Sequence, residues 1–560
     1  MKRNVKHIIY FLVALALLLL LSSLFHFRID LTSDKRHSLS PVSKSLMKQV
    51  EEPIEATLYL NGDLNPGFTR LRNNTVSLLE ELRAQGRSKI SIVQINPAEA
   101  KSTEEQEQQF AELEARGMPP VAVYEKDKEG KLMQKPVFPW LELSSKGKTT
   151  SVNLLKNIPN LSGEENLNIS IENLEYEVSE AIRRLNKKGI DKVAFLEGQG
   201  ELNEWETYDI SHSLSRYFQI DRGEIGADAH VLDEYKAVVI AKPTEPFSEA
   251  VKFVLDQYLM RGGKLLWLVD AVRISEEQLS TNGLSPAMPL ELNLDDMFFR
   301  YGVRLMPALI QDVQSLLMPV DVAGESDPAH FEAMPFVYSP LLLTFPGHPI
   351  SKNIAPVLSE FTSPIELVGE NKGVKSTLLL ASSERSRLVQ TPAQVALNEI
   401  PDLRSRELFN LSHIPVAVVL EGEFQSVFAN RMPPPEIENA EAVIHKSKAS
   451  KQIIIADGDI IRNRLSPGEE IPEALPLGLD RYSGQVFGNS EFLVNALLYL
   501  TDESGRLELR SRTLPLRLLN KSAVTDNKLK LQIINIVIPL ILLFLFGALY
   551  NWNRKRKFTN

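Results

Sequence analysis

Two long apolar runs lie near the ends of the chain. Residues 8–27 form the first run, and residues 531–552 form a second run that contains Pro539 and Gly547. A helix of about 20 apolar residues spans a bilayer, and such helices tolerate proline and glycine. The sequence therefore predicts a transmembrane helix at 8–27 and another at 531–552. The alternative for the first run is a cleaved signal peptide, although no A-x-A-like site follows it, and the alternative for the second is a buried core helix.

Basic residues on the outer side of both runs predict their orientation. The tip at 1–7 carries Lys2, Arg3 and Lys6 without any acid, and the tail carries four consecutive basic residues at 554–557. Lysine and arginine are enriched on the cytoplasmic side of membrane proteins. We therefore expect both termini in the cytoplasm and the body of the chain on the far side of the membrane.

The first part of the body alternates short strands with helices of 3.6-residue periodicity. The pattern predicts a strand at 54–60, a helix at 69–84, a strand at 90–95, a helix at 104–116 and two strands between 118 and 136. This order resembles the thioredoxin fold, and an unrelated α/β sandwich is the alternative. In the thioredoxin fold the proline that enters the third strand is cis, which makes Pro119 the candidate for a cis peptide bond.

The second part of the body alternates helices with strands that are apolar on both faces. Strands are predicted at 192–196, 237–241, 264–269 and within 451–459, and helices at 205–217, 248–260 and 490–500. This pattern is typical of a parallel sheet that helices cover on both sides. Residues 305–450 are rich in proline and in strand-like pieces, and their sequence leaves the fold open.

These patterns predict a series of segments along the chain. In order, they are a cytoplasmic tip (1–7), a transmembrane helix (8–27), a juxtamembrane segment (28–50), a thioredoxin-like α/β domain (51–142), a linker and helix (143–189), the first part of an α/β parallel-sheet domain (190–304), a mixed or inserted β-rich region (305–450), the completing part of the α/β domain (451–505), a juxtamembrane segment (506–530), a transmembrane helix (531–552) and a basic cytoplasmic tail (553–560).

Composition narrows the function classes. Hydrophobic residues make up 43% of the chain and charged residues 24%, which is ordinary for globular protein, and the formal net charge is −10. An acidic body without a basic stripe argues against a nucleic-acid partner. The chain has no cysteine, which excludes disulfides, thiolate catalysis and cysteine-ligated metal.

The best candidate ligand site is the loop Glu197-Gly198-Gln199-Gly200-Glu201, which follows a predicted buried strand. Open α/β sheets bind ligands at the carboxyl ends of their strands. The glycine spacing is not G-x-G-x-x-G, however, and the acids on both sides would repel phosphate. A plain tight turn is the alternative.

Other motifs carry little chemistry. Asp457 and Asp459 flank a glycine after a strand and are a weak candidate for a divalent cation site, but Asp-Gly is also a common turn. The 261–264 segment ends a helix and enters a strand, which is the reverse of a phosphate loop. H-E-x-x-H and G-x-S-x-G are both absent. We therefore predict no enzyme activity, no metal and no cofactor, although a catalytic triad assembled across the fold stays open.

Four segments spread along the chain resemble the gliding-motility-associated ABC-transporter component family (GldG) and its broader auxiliary-component family. They lie at 28–40, 255–270, 293–304 and 488–500. The resemblance implies a non-catalytic subunit in a bacterial inner membrane with a periplasmic body, partnered by an ABC permease and a cytoplasmic ABC ATPase.

The resemblance also implies a flavodoxin- or glutamine-amidotransferase-like central domain without its catalytic cysteine. It implies a setting in gliding motility or the associated secretion, with envelope or motility proteins as further partners. The alternative function is a membrane-tethered periplasmic enzyme or receptor that acts on envelope polymers. Stable association with a permease and an ATPase would favour the first function, and a small molecule bound at 197–201 would favour the second.

Overall fold

The computed structural model describes residues 38–558, apart from 87–88, 100–101, 127–131, 159–160, 187–188, 322–329, 346, 370–372, 398, 400–401, 440–441, 467–472 and 503–526. The predicted transmembrane helix at 8–27 lies outside the described residues. The chain forms two compact units, Met1–Arg512 and Thr513–Asn560, which are described separately.

The N-terminal part of the first unit is built on a four-stranded sheet. Its elements are α1 (Pro41–Gln49), β1 (Ile54–Leu58), α2 (Pro66–Gln85), β2 (Ile90–Gln94), α3 (Thr103–Ala115), β3 (Val121–Lys126), β4 (Leu132–Val137), β5 (Trp140–Ser145), β6 (Lys148–Asn153) and α4 (Gly163–Asn186). The sheet order is β2-β1-β5-β6, with β1 parallel to β2 and antiparallel to β5, and with β5 antiparallel to β6. Strands β3 and β4 pair with each other as a separate hairpin.

The cis-proline prediction at Pro119 is wrong. Among the described residues the cis peptide bond is Thr391–Pro392. Pro119 leads into β3, which lies outside the four-stranded sheet, whereas the third strand of that sheet along the chain is β5. The carbonyl of Pro119 accepts a hydrogen bond from the indole Nε1 of Trp140 at 2.8 Å. The prediction took β3 as the third strand of the sheet, but the third strand along the chain is β5.

Residues 143–153, predicted as part of a linker, instead complete β5 and form β6. Leu141 and Leu143 are buried on one face of β5 while the alternate positions are partly exposed, which is the period-2 pattern of a half-covered strand. Strand β6 is polar and rich in threonine, a residue that favours strands. Because five of the six residues of β6 are exposed or only half-buried, the strand needs little apolar surface, and its sequence looks like a loop.

The C-terminal part of the first unit is built on a large mixed sheet. Its elements up to residue 312 are β7 (Asp191–Glu197), α5 (Tyr208–Ser215), β8 (Phe218–Glu224), β9 (Ala237–Ala241), α6 (Glu249–Met260), β10 (Leu265–Leu268), β11 (Val272–Arg273), α7 (Glu276–Asn282), β12 (Leu284–Pro289), α8 (Asp295–Tyr301), β13 (Val303–Leu305) and β14 (Ala308–Asp312). The remaining elements are β15 (Ser315–Asp321), β16 (Phe331–Thr344), β17 (Val357–Leu358), β18 (Ile365–Leu367), β19 (Val374–Ala381), β20 (Ser386–Gln390), β21 (Ala393–Ala396), β22 (Pro415–Gly422), β23 (Ser450–Ile455), a 3-10 turn (Asp459–Ile461) and α9 (Asn489–Thr501).

The sheet order is β15-β16-β19-β22-β23-β10-β9-β7-β8, with β17 added beside β16. The pairs from β23 to β8 are parallel, as predicted for the apolar strands β23, β10, β9 and β7, and β23 completes this half of the sheet. The polar edge strand β8 was not predicted. The pairs from β15 to β23 are antiparallel. The stretch at 305–450 therefore supplies β16, β19 and β22 to the same sheet. All five residues of β9 are buried, because packed side chains cover both faces of the sheet.

Helix α6 lies inside the protein and carries a buried carboxylate. Asp256 is fully buried and accepts hydrogen bonds from Ser426 Oγ at 2.7 Å, Val427 N at 3.0 Å, Tyr301 OH at 2.9 Å and Gln257 Nε2 at 2.9 Å. Burial raises the pKa of Asp256, although these hydrogen bonds oppose the shift. The carboxylate thus joins α6 to α8 and to the chain at 426–427.

His348 is a buried histidine whose charge state makes stability depend on pH. Its ring lies 4.6 Å from that of Tyr499, centroid to centroid, and its residue is 7% exposed. Burial lowers the pKa of His348 to about 4, and nearby Lys451 and Lys375 also lower it while Glu421 raises it. An unfolded histidine has a pKa of about 6.5. The unfolded state therefore takes up a proton first as the pH falls, and this protonation favours unfolding.

We expect the chain to keep the full contribution of His348 to stability above about pH 6.5 and to lose it as the pH falls towards 4. The loss is on the order of 2 kcal/mol after allowance for partial solvent screening. Chemical unfolding of the wild type and of His348→Gln between pH 4 and pH 7.5 measures it. Equal pH slopes for the two proteins between pH 4 and 6.5 would contradict the assignment.

The second unit is described from residue 527 to 558 and contains the helix α10 (Lys528–Phe558). Within the described part of the chain, Lys528–Arg556 is the one stretch that is helical, long and apolar enough to cross a membrane. Its apolar side chains are exposed, with Phe544 at 78% and Leu540 at 60%. This helix coincides with the predicted membrane span at 531–552.

Candidate functional site

Charged residues gather where three neighbouring parallel strands end. Lys242 follows β9 directly, Asp270 lies two residues beyond β10, and Asp457 lies two residues beyond β23. The carboxyl ends of parallel strands are where open α/β sheets bind ligands. Asp270, Asp457 and Asp459 each present an oxygen, and these three oxygens lie within 4.8 Å of one another. We refer to these three residues as the carboxylate cluster.

Close packing of two loops forms the carboxylate cluster. A Cβ on Gly458 would lie 2.4 Å from Cγ of Lys242, so the chain requires glycine at this point. Lys242 itself has a φ of 54°, in the left-handed region. The amide of Gly458 donates to Asp270 Oδ1 at 2.6 Å, and the amide of Asp459 donates to Asp457 Oδ1 at 2.8 Å. Backbone donors therefore fix the positions of Asp270 and Asp457.

A lysine ammonium pairs with two of the three acids in the carboxylate cluster. Lys242 Nζ lies 3.4 Å from Asp270 Oδ2 and forms an ion pair with Asp459. Burial lowers the pKa of Lys242, but the charges of Asp459 and Asp270 outweigh burial and raise the pKa overall. Burial also raises the pKa of Asp270, and it raises that of Asp457 well above its usual value. Asp457 accepts hydrogen bonds from Thr362 Oγ1 at 2.6 Å and Glu360 N at 3.0 Å.

Two arginines extend the network to the rim of a cavity. Arg462 lies 2.9 Å from Asp459 Oδ1, and its Nη2 donates to Glu276 at 2.6 Å. Arg464 donates to the same Glu276 oxygen at 2.9 Å and also pairs with Glu360. Burial would raise the pKa of Glu276, but Arg462 and then Arg464 lower it to about 2. A cavity of about 320 Å³ opens beside these arginines.

This arrangement limits the chemistry of the carboxylate cluster. Three carboxylate oxygens at this spacing suit a hard divalent cation. The ammonium of Lys242 already occupies that role, and a cation would have to displace it. The sequence pointed to Asp457 and Asp459 but missed Asp270 and Lys242, because they lie on different strands. The available signal was a charged residue within two positions of the end of each of two apolar strands.

The loop at 197–201 lies at the end of β7, next to the connection that follows β9. The Gln199 carbonyl accepts hydrogen bonds from Thr244 N and Glu245 N, both at 2.9 Å. Gly200 has a φ of 69°, and a Cβ there would lie 2.2 Å from Thr244 Oγ1, so this position requires glycine. The strand order reverses between β7 and β9, which is where doubly wound sheets open a crevice for ligands.

The acidic side chains of this loop find hydrogen-bond or ion-pair partners within the loop and on β8. Glu197 pairs with Arg222 at 2.7 Å, and Glu201 Oε2 accepts from Gln199 N at 2.7 Å. Burial raises the pKa of Glu201. Gln199 Oε1 and Glu201 Oε1 are buried, and neither has a hydrogen-bond partner among the residues that the structure describes. Two acceptor oxygens are therefore left for a donor from elsewhere.

A family model described as "ABC-type uncharacterized transport system" matches residues 191–496, more than half of the chain. The chain belongs to this family. The match to the ABC-type uncharacterized transport system family contains the carboxylate cluster and the 197–201 loop, and it confirms the resemblance to the broader auxiliary family. The assignment to GldG stays a prediction.

Further similarities extend over the rest of the chain. A model of a domain of unknown function matches residues 33–144. An uncharacterized protein of Borreliella burgdorferi is 22% identical, and the alignment covers 96% of this chain and 95% of that protein. A solved structure described as "mmIFT52 N-terminal domain" is 11% identical, covering 56% of this chain and 99% of that one, with a TM-score of 0.31.

Proposed function

We propose that the chain is a non-catalytic, membrane-anchored accessory subunit of an ABC transporter. The observation that carries the proposal is the family match over 191–496. The charges at the strand ends support a non-catalytic role, because Lys242, Arg462 and Arg464 pair with the acids around them. A group held in ion pairs on several sides is poorly placed to move protons or attack a substrate.

The proposal extends to topology and partners. The apolar helix at Lys528–Arg556 supports a membrane anchor, and the basic residues at 554–557 favour a cytoplasmic C-terminus. With the predicted span at 8–27, both termini are cytoplasmic and the body lies in the periplasm of a bacterial inner membrane. The sequence has no phosphate loop, so a cytoplasmic ABC ATPase supplies ATP hydrolysis and an ABC permease supplies the conduit.

The fold families belong to the proposal as well. The sheet order β2-β1-β5-β6, with its strand directions, supports a thioredoxin-like small domain. In the large domain the parallel strands lie in the order β8-β7-β9-β10-β23, which is the 2-1-3-4-5 order of flavodoxin-like sheets. The four segments that resemble GldG support a setting in gliding motility or associated secretion, and loss of surface motility on disruption of the chain tests that setting.

Purification in mild detergent tests the accessory role. We expect the tagged full chain to bring an ATP-binding subunit and a polytopic permease in a fixed ratio, identified by mass spectrometry. Phe544→Arg should reduce this recovery, since arginine at the centre of a membrane helix costs about 3 kcal/mol. Asn551→Arg, near the end of the same helix, should not. Recovery of the wild-type chain without a permease and an ATPase would end the transporter proposal.

A second proposal is that residues 197–201 bind a ligand rich in hydroxyl or amide donors, as envelope polymers are. The buried, unpartnered oxygens of Gln199 and Glu201 support it. The probe is chitotriose, with binding to the full chain measured by ligand-observed NMR. Glu201→Gln and Glu197→Ala should weaken binding, and the exposed neighbour Glu204→Gln should leave it unchanged. Absence of binding at millimolar probe would exclude sugars of this class.

A further inference from the structure

The outer strand of the small sheet has an open edge. Strand β6 pairs with β5, and the described residues place no other strand beside it. Unpaired strand edges present free amide and carbonyl groups, and proteins usually cover or block them. Strand β6 contains no proline, the residue that most directly blocks an edge.

A cavity of about 1020 Å³ runs along this edge. All six consecutive residues of β6, 148–153, line it. Successive side chains of a strand point to opposite faces of the sheet. A cavity that touches six residues in a row therefore reaches the edge of the strand, where the backbone groups are, and Trp140 and Glu142 show that it also extends over one face of β5. Six residues of extended chain span about 20 Å, so the edge of β6 accommodates a short strand.

The wall of this groove is positively charged, although the chain as a whole has a formal charge of −10. Its cationic lining residues are Arg116, Lys148, Lys156, Arg184 and Arg216, against the acids Glu142 and Glu177. Arg116 pairs with Glu142, and Lys156 pairs with Glu177 at 2.9 Å. The acids of the groove are therefore already engaged.

Three cations of the groove remain available. The guanidinium of Arg184 lies over the ring of Tyr217, 5.1 Å from its centroid. Within the part of the chain that the structure describes, no carboxylate forms an ion pair with Lys148, Arg184 or Arg216. These three residues flank the free edge of β6 and give the groove an excess of positive charge.

We propose that β6 accepts an extended, acidic segment of a partner protein as a fifth strand of the small sheet. Main-chain hydrogen bonds to a strand edge give affinity in this mode of recognition, and side-chain contacts give specificity. Here Lys148, Arg184 and Arg216 select acidic side chains. The proposal does not depend on the assignment to a transporter.

The positive charge of the groove also favours a partner protein over two other occupants, a segment of the chain itself and a second copy of the chain. The chain's own long segments outside the described residues are both basic: 1–37 carries six lysines and arginines against two acids, and 503–526 carries five against three. A second copy paired edge to edge would bring two cationic grooves together. Like charges at an interface disfavour both arrangements.

Fluorescence anisotropy with the full chain in detergent tests the proposal. The probe is a labelled nine-residue peptide in which glutamate alternates with valine and threonine, and the control peptide has lysine in place of glutamate. We expect the glutamate peptide to bind at least about tenfold more tightly than the lysine peptide. Lys148→Glu with Arg216→Glu should cost about tenfold or more in affinity for the glutamate peptide, whereas Arg406→Glu, an exposed arginine elsewhere, should not change it.

Hydrogen exchange separates strand addition from simple charge attraction. The bound peptide should slow amide exchange within 148–153, because a new strand engages the free amides of that edge. Absence of binding at millimolar peptide would overturn the proposal. So would equal binding of the two peptides, or unchanged exchange at 148–153.

Discussion

Replacing Asp256 with alanine is expected to destabilise the chain by about 3–5 kcal/mol, because several buried donors lose their acceptor at once. Asp256 is fully buried and accepts four hydrogen bonds. The substitution leaves the fully buried hydroxyl of Tyr301, the hydroxyl of Ser426 and the amide of Val427 without their acceptor. An unsatisfied buried polar group costs about 1–3 kcal/mol, so these losses together account for the expected effect.

Chemical unfolding of the full chain in detergent, followed by tryptophan fluorescence, measures the change. Asp295→Ala is the matched control, because Asp295 is an exposed acid in the first turn of α8. That control should cost less than about 1 kcal/mol, the usual value of an acid at a helix N-terminus. A loss of less than 1 kcal/mol for Asp256→Ala would mean that the network relaxes onto other partners.

Four of the five strands in the parallel half of the large sheet were predictable because their centres are continuously apolar, whereas the polar edge strand β8 was not predicted. Residues 237–241 and 265–268 are wholly buried, and continuous apolar runs between helical segments indicate such strands directly. The antiparallel half was not predictable. Strand β16 contains Pro335 and Pro340, and proline within a run argues against a strand by local rules. Pairing with β15, β17 and β19 overrides that local preference.

The order of strands in the small sheet shows a different limit. Local pattern located β3 and β4 correctly, but pattern does not reveal pairing partners. The hairpin made by β3 and β4 lies outside the sheet, and the polar strand β6 lies within it. The misplaced proline prediction follows from this one error. Sheet membership depends on contacts between distant residues, which hydrophobic periodicity does not encode.

The candidate site was predictable only in its pieces. The loop at 197–201 and the pair Asp457 and Asp459 were visible because each follows an apolar strand. Their neighbours were not, because Lys242 and Asp270 follow other strands and reach the cluster through the sheet order. The left-handed φ of Lys242 belongs to the folded chain and has no signal in the sequence. Long-range assembly therefore decides the chemistry at this edge of the sheet.

Replacing Lys242 with alanine tests whether its ammonium stabilises the buried acids of the carboxylate cluster. The substitution removes the ammonium that pairs with Asp459 and lies 3.4 Å from Asp270. The acids are then left buried without that compensation, at an expected cost of about 3–5 kcal/mol near neutral pH. The remaining pair between Arg462 and Asp459 compensates part of the charge.

The cost of Lys242→Ala should grow as the pH rises. Burial already raises the pKa of Asp270 and Asp457, and the charge of Lys242 opposes that shift. Without Lys242 both pKa values rise further, while the unfolded acids titrate near pH 4. The unfolded state then releases its protons first, so stability is retained at low pH and lost as the pH rises through the folded pKa values. Unfolding at pH 5 and pH 8 should show the larger deficit at pH 8.

A double-mutant cycle with Asp459→Asn separates lost charge compensation from lost packing. Lys242→Ala combined with Asp459→Asn should be less destabilised than the sum of the two single variants, by about 1–3 kcal/mol, because the second change removes one of the acids exposed by the first. Added calcium should also stabilise Lys242→Ala more than the wild type, since three carboxylate oxygens within 4.8 Å are then free of the ammonium. Lys242 would act through packing alone if three results were found together. The stability losses of the two single variants would add, the loss for Lys242→Ala would not change with pH, and calcium would not stabilise that variant more than the wild type.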